Sequence, residues 1–262
     1  MVKSSSERYY LDTSIFIQVL SLDSKLKHFV TTKLTVSGRT MASYFTLIEI
    51  NKYFIQLAIR MYDKIDELKD VPSAKVSLSN DFNRAPTYYM ILDALVDRNI
   101  ALSPSMPGYR MYLAHLETVI VTLQDELFSM VNEFKGVFAK HPIAQSRVYK
   151  SSDFPKHTAV LSANKEIDYS PAWLKYRHQL IQAEAYFRSL PKLKMLQKEI
   201  SVLVTQVLTD PNGKRSKHFG DLVIGLDAPL GVHILAHDHS FPIIGESIGK
   251  KTTYITAIHT DI

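Results

Sequence analysis

Apolar positions along the chain follow two rhythms. Through most of the middle they recur at three- and four-residue spacing, and near both ends they form short unbroken runs. The first rhythm is that of an amphipathic helix and the second that of a strand buried on both faces. Tyr9-Tyr10-Leu11 reads as the first strand and Thr40-Met41-Ala42 as a second. Val232 to Ala236 reads as a third that runs through His237 into Asp238, and Thr252 to Thr256 as the last. Ser14 to Leu20 is a short apolar helix. From Thr46 onward Ile50, Tyr53, Phe54, Leu57, Met61, Ile65 and Leu68 fall on one face of a long helix. Another is predicted from about Arg110 to Lys140 on Leu113, Leu116, Ile120, Leu123, Leu127, Val131, Phe134 and Phe138. A shorter one lies around Thr87 to Val96.

Punctuation supports this division. Ser170-Pro171 supplies an N-cap followed by proline at the first helical position, so a helix is predicted to about Leu190, broken at Pro191 and resumed to about Leu208. Asp70 to Asn83 and Tyr149 to Tyr169 are polar and aperiodic and read as loops, and Asp210-Pro211-Asn212-Gly213 as a turn. Gly245 to Lys251 lacks the spacing and the Ser/Thr of a phosphate loop and reads as the connection into the last strand. Strands at both ends must pair in one sheet. The expected fold is therefore α/β, with a discontinuous core from residues 1–54 and 210–262, a central parallel sheet flanked by helices, and a large all-helical insertion over 55–209.

Composition narrows the chemistry. With 262 residues, 46% of them hydrophobic, the chain can bury a substantial core. No stretch approaches the ~20 apolar residues of a membrane span, and Met1 to Ser6 lacks the apolar segment of a secretory signal; a cytoplasmic protein with no membrane partner is expected. The absence of cysteine excludes thiolate catalysis and thiolate-bound metal, so any metal must be held by oxygen or imidazole. A formal net charge of +5 suits a polyanionic partner without requiring one. Lys214, Arg215, Lys217 and His218 gather just before Asp221 and are candidate contacts to such a partner, His218 being read as an exposed residue.

Four acids, Asp12, Glu49, Asp221 and Asp238, stand at positions that could converge, with Asp12 and Asp238 at the carboxyl edge of the predicted sheet. In open α/β sheets that edge carries the chemistry. Singly, each acid has an ordinary role. Asp12 caps a helix, Glu49 closes a capping box begun by Thr46, Asp221 favours a helix N-terminus, and Asp238 occupies a turn. Together they would repel one another unless a cation lay among them. All-oxygen ligation points to Mg²⁺ or Mn²⁺. His233, His237 and His239 are read as packing or surface residues, and Asp227 as secondary.

The order of these segments resembles the PIN-domain nucleases, including the VapC-related toxins. Tyr9 to Ile17 is similar to the opening strand and Asp-Thr-Ser motif, Ala42 to Glu49 to the second motif with its glutamate, Phe219 to Ile224 to the third, and Ile234 to Phe241 to the fourth. Ala236 stands where the family usually has Thr or Ser, and the gap between Glu49 and Asp221 is far longer than in compact members. The resemblance implies a PIN-like core in which Asp12, Glu49, Asp221 and Asp238 hold Mg²⁺ or Mn²⁺ and hydrolyse RNA to leave a 5′-phosphate, with Thr13 and Ser14 supporting Asp12. RNA is the expected substrate, DNA stays open, and further partners considered are an inhibitory protein and a second copy in a homodimer. The alternative is a catalytically silent PIN-like interaction protein whose helical region recruits partners.

Overall fold

The computed structural model describes residues 7–20, 24–35, 38–79, 86–101, 108–163, 167–210 and 218–255. Five short strands form one sheet: β1 Tyr9–Leu11, β2 Thr40–Ser43, β3 Glu133–Lys135, β4 His233–Ala236 and β5 Thr252–Tyr254. Their order is β3-β2-β1-β4-β5 and every pairing is parallel. All of β2 and β4 is buried, as are Tyr10 and Leu11 of β1. Unbroken apolar runs are what a strand needs when helices cover both faces. The chain leaves β1 toward β2 on one side and returns as β4 on the other, so the topological switch, where such sheets open a crevice, lies between β1 and β4.

The chain turns from strand to helix in the same way at three strand ends. A short polar side chain accepts the backbone N–H two residues on: Asp12 from Ser14 at 2.9 Å, Ser43 from Phe45 at 2.9 Å and Asp238 from Ser240 at 2.8 Å. Each bond satisfies a donor that the first turn leaves unpaired and aims a helix away from the sheet edge. The helices so begun are α1 Thr13–Leu20 after β1 and, beyond α2 Ser24–His28, α3 Tyr44–Glu49 after β2. The third begins after β4. Ser43, rather than the predicted Thr46 box, is thus the cap of α3. A π-helical turn, Ile50–Ile55, carries α3 directly into α4 Gln56–Leu68. Ile50, Phe54, Leu57, Met61 and Ile65 are buried as expected, whereas Tyr53 and Leu68 face solvent.

The middle departs from its prediction in three places. Asp70 to Ser77 is not loop: Asp70 caps α5 Val71–Ser77 by accepting from Ser73 N–H at 2.9 Å, Pro72 lies in the first turn and Ala74 is buried. After α6 Pro86–Ala101, the predicted helix over 110–140 ends early, as α7 Tyr109–Met130. Asn132 then exchanges bonds with Thr40, its N–H meeting Thr40 O at 3.0 Å and its Oδ1 accepting Thr40 N–H at 3.0 Å. That clamp sets β3 beside β2, so the 55–209 stretch is not all-helical but contributes a strand to the sheet. Beyond α8 Pro142–Gln145, the supposed loop at 149–169 contains α9 Phe154–Ala163, which turns Phe154, His157 and Leu161 inward. Its polar outer face had hidden the period.

Two long helices, α10 Ser170–Ser189 and α11 Met195–Thr209, flank the break at Pro191 as predicted. α12 Phe219–Asp227 and α13 Ser240–Ser247 complete the fold; Gly245 to Ser247 is the last turn of α13 rather than loop. The expected turn at 211–213 lies outside the described residues. No helix among the described residues is long and apolar enough to cross a membrane. One buried cluster unites residues of both chain ends and the middle.

A buried polar node fastens the middle to the sheet. Asp227, at the end of α12, accepts from the hydroxyls of Ser43 and Tyr176 and from Val137 N–H at 3.3 Å. Burial pushes its carboxyl up. Nearby, the buried Lys250 ammonium donates to the carbonyls of Gly225 and Leu226 at 2.8 and 3.0 Å, closing the C-terminus of α12. Gly136 gives the turn after β3 its φ of +115°, and a Cβ there would stand 2.2 Å from Asp227 Oδ2. Gly136→Ala therefore combines backbone strain with a clash against a bonded carboxylate and should lower the unfolding free energy by about 3 kcal/mol. Urea titration checks this; a loss under about 1 kcal/mol would mean that the node yields freely.

Candidate metal centre

All four predicted acids stand on the elements that meet at the sheet's carboxyl edge. Asp12 follows β1, Glu49 ends α3, Asp221 lies in the first turn of α12, and Asp238 follows β4. Because β4 ends at Ala236, His237 and Asp238 belong to the turn rather than to an extended strand. Asp12 is buried, with its carboxylate accepting from both the N–H and the hydroxyl of Ser14. That hydroxyl in turn accepts His237 N–H at 2.8 Å. Ser14 thus ties the end of β1 to the end of β4.

Glu49 is held by the Thr13 hydroxyl at 2.6 Å. Its other oxygen faces Gly220, where an added Cβ would lie 2.1 Å away. Asp221 accepts from Ser240 Oγ at 2.7 Å and contacts His218 Nδ1 at 3.2 Å. His218, Asp221 and Asp238 each offer a ligand atom within 4.8 Å of the others. His218 is buried, with its far nitrogen 3.3 Å from Glu199 of α11, which corrects the expectation of an exposed residue. Asp221 raises its pKa by hydrogen bonding.

The electrostatics bind the group together. Burial, then the charge of Asp221, pushes Asp12 up to about 7. Burial likewise pushes Glu49 up to about 8, against the Thr13 bond and with the charges of Asp12 and Asp221. Carboxylates raised in this way are groups whose charged form a nearby cation would favour. Oxygen donors with one imidazole suit Mg²⁺ or, better, Mn²⁺.

Several participants escaped sequence reading. Ser240 supplies a hydroxyl to Asp221, although Ala236 offers none; its place two residues after a strand-end aspartate was the available signal. His218 gave no sign of burial, because its partner Glu199 is on a distant helix. Tyr88 of α6 packs against Tyr53 and Phe54 nearby, its pKa raised by burial and then by Glu49, Tyr53, Asp12 and Asp221. Lys214, Arg215 and Lys217 lie outside the described residues. The discounted histidines stand apart from the acids: His233 bonds Thr253 Oγ1 at 2.6 Å, and His237 and His239 stack on Tyr254.

Gly220→Ala tests the support of Glu49. The variant should fold, since the clash falls on the end of a side chain, yet displace a carboxylate and weaken Mn²⁺ binding about 10- to 100-fold. Calorimetric titration reads this; unchanged affinity would show that Glu49 does not share the ion.

Comparison of the chain with protein-family models, with curated proteins and with solved structures finds no match.

Proposed function

We propose that this chain is a divalent-metal-dependent endoribonuclease with a PIN-like core. The observation that carries the reading is the grouping of His218, Asp221 and Asp238 within ligand reach of one another, with Asp12 and Glu49 in the field of Asp221 and both pushed toward neutral pKa values. The four carboxylates would hold Mg²⁺ or Mn²⁺ directly or through water, and His218 stands within reach of the same ion. A bound divalent ion supplies charge neutralisation at a phosphodiester and lowers the pKa of a water.

The chain's own groups would do the positioning. Ser14 fixes Asp12 by two bonds, Thr13 fixes Glu49, and Ser240 fixes Asp221, so the ligand oxygens are oriented before an ion arrives. RNA is the proposed substrate, with hydrolysis leaving a 5′-phosphate as the resemblance implies.

The test is cleavage of labelled single-stranded RNA in Mg²⁺, Mn²⁺ and chelator, with the new ends identified, beside calorimetric titration of Mn²⁺. Cleavage should require metal and Mn²⁺ should bind saturably. Saturable binding with no cleavage would replace the enzyme by a silent PIN-like protein. Absence of both would overturn the reading.

A further inference from the structure

Beside the acids the helix α3 and its π-helical continuation present a surface that the four carboxylates do not explain. Tyr53 follows Glu49 by four residues, about one turn, and so projects from nearly the same side of the helix. It is 46% exposed, unusual for an aromatic ring in a segment whose neighbours Phe54 and Ile55 are completely enclosed. Its ring stacks on Tyr88, with centroids 6.1 Å apart and planes 25° from parallel. Tyr88 is braced in turn against buried Phe54 at 5.9 Å. The pair is therefore a rigid aromatic step, anchored at one end and open at the other. Lys52, also on this turn, is half-buried and has no ion pair among the described residues.

We infer that Tyr53, backed by Tyr88, is a base-stacking subsite that holds an unpaired nucleobase next to the carboxylate centre, with Lys52 contacting the adjoining phosphate. The inference rests on the nuclease reading for its choice of ligand. An exposed ring face is sequence-tolerant and binds any base, but only a base free of its own helix can reach it. A partly desolvated ammonium without a carboxylate partner fits a phosphate oxygen. Placed together within a turn of Glu49, the two would fix the strand so that a neighbouring phosphodiester lies over the acids.

The experiment measures binding of a short fluorescent single-stranded RNA by anisotropy. All proteins carry Asp12→Asn, so that cleavage does not intervene, and a parallel series of RNAs has one base removed at each position in turn. Tyr53→Ala should weaken binding roughly 5- to 150-fold, the range of one base–aromatic stack, and Tyr53→Phe should restore it. Removing one particular base should weaken binding to the Tyr53 protein and leave the Tyr53→Ala protein unaffected. Blunt duplex RNA should be indifferent to the change. Equal affinity of the Tyr53 and Tyr53→Ala proteins, or the same base-removal penalty in both, overturns the subsite, as does failure of the Tyr53 protein to bind the RNA at all. The nuclease reading fails separately: Tyr53-dependent binding by a chain whose Asp12-containing form cleaves nothing in Mg²⁺ or Mn²⁺ would retain the stacking site and remove the enzyme.

Discussion

Asp12→Asn is expected to reduce metal-dependent RNA cleavage by about a thousandfold or more, since a carboxylate serving the ion contributes several kcal/mol to charge stabilisation and each 1.36 kcal/mol is tenfold in rate. The fold should survive, because Asn keeps the oxygen that accepts Ser14 N–H at 2.9 Å. Turnover of labelled RNA in Mn²⁺, with circular dichroism as the control for folding, decides the matter. A folded variant that retains the parent's rate would remove Asp12 from the centre. Asp238→Asn should behave alike, which separates a shared ion from a local capping role.

A second large effect concerns pH in the absence of metal. Asp12 and Glu49 ionise near 4 in an unfolded chain but are pushed to about 7 and about 8 in the folded one. Below pH 4 both are protonated in either state and impose no penalty. Between pH 4 and 8 the folded chain retains protons that the unfolded chain has released, so stability falls as pH rises; above 8 the penalty is complete. For buried Asp12 alone it amounts to roughly 4 kcal/mol, or on the order of 10 °C in melting temperature for a chain of this size. Burial lowers His157 to about 4 and Lys250 to about 8, which gives slopes of the opposite sign. The informative quantity is therefore the parent's pH profile minus that of Asp12→Asn. Metal-free Asp12→Asn should melt higher than the parent at pH 8 and close to it at pH 4, and saturating Mn²⁺ should raise the parent at pH 8. Identical metal-free profiles would mean that Asp12 is not strained by its surroundings.

Much of this arrangement could be read from the chain because it rests on local rules. Asp12 after Tyr9-Tyr10-Leu11 and Asp238 after His233 to Ala236 are strand ends marked by unbroken apolar runs, and Ser170-Pro171 marks a helix start wherever it occurs. What escaped depends on distant partners or on masking. β3 is three residues long, and Phe134 continues by chance the spacing of α7, so only its pairing with Met41 to Ser43 makes it a strand. α5 and α9 hide their inward stripes beneath polar outer faces. His218 is buried by Glu199 and Asp221, and Tyr53 becomes a step only because Tyr88 comes to lie against it. Sequence spacing places residues on one face of an element; it does not say which other element covers that face.

The pairing of Tyr9 with His233 and of Leu11 with Leu235 also sets an order of events during synthesis. Translation delivers Asp12 and Glu49 long before β4, at roughly 5–20 residues per second, while β1 waits with one edge unpaired. A partner so remote in sequence closes slowly and exposes that edge to other chains meanwhile. Until β4 docks there is no crevice between β1 and β4, and Asp238 has no place beside Asp221. As the proposed nuclease, the growing chain would thus be harmless to the messenger that encodes it, because the fold withholds the centre until residues beyond 238 have been made.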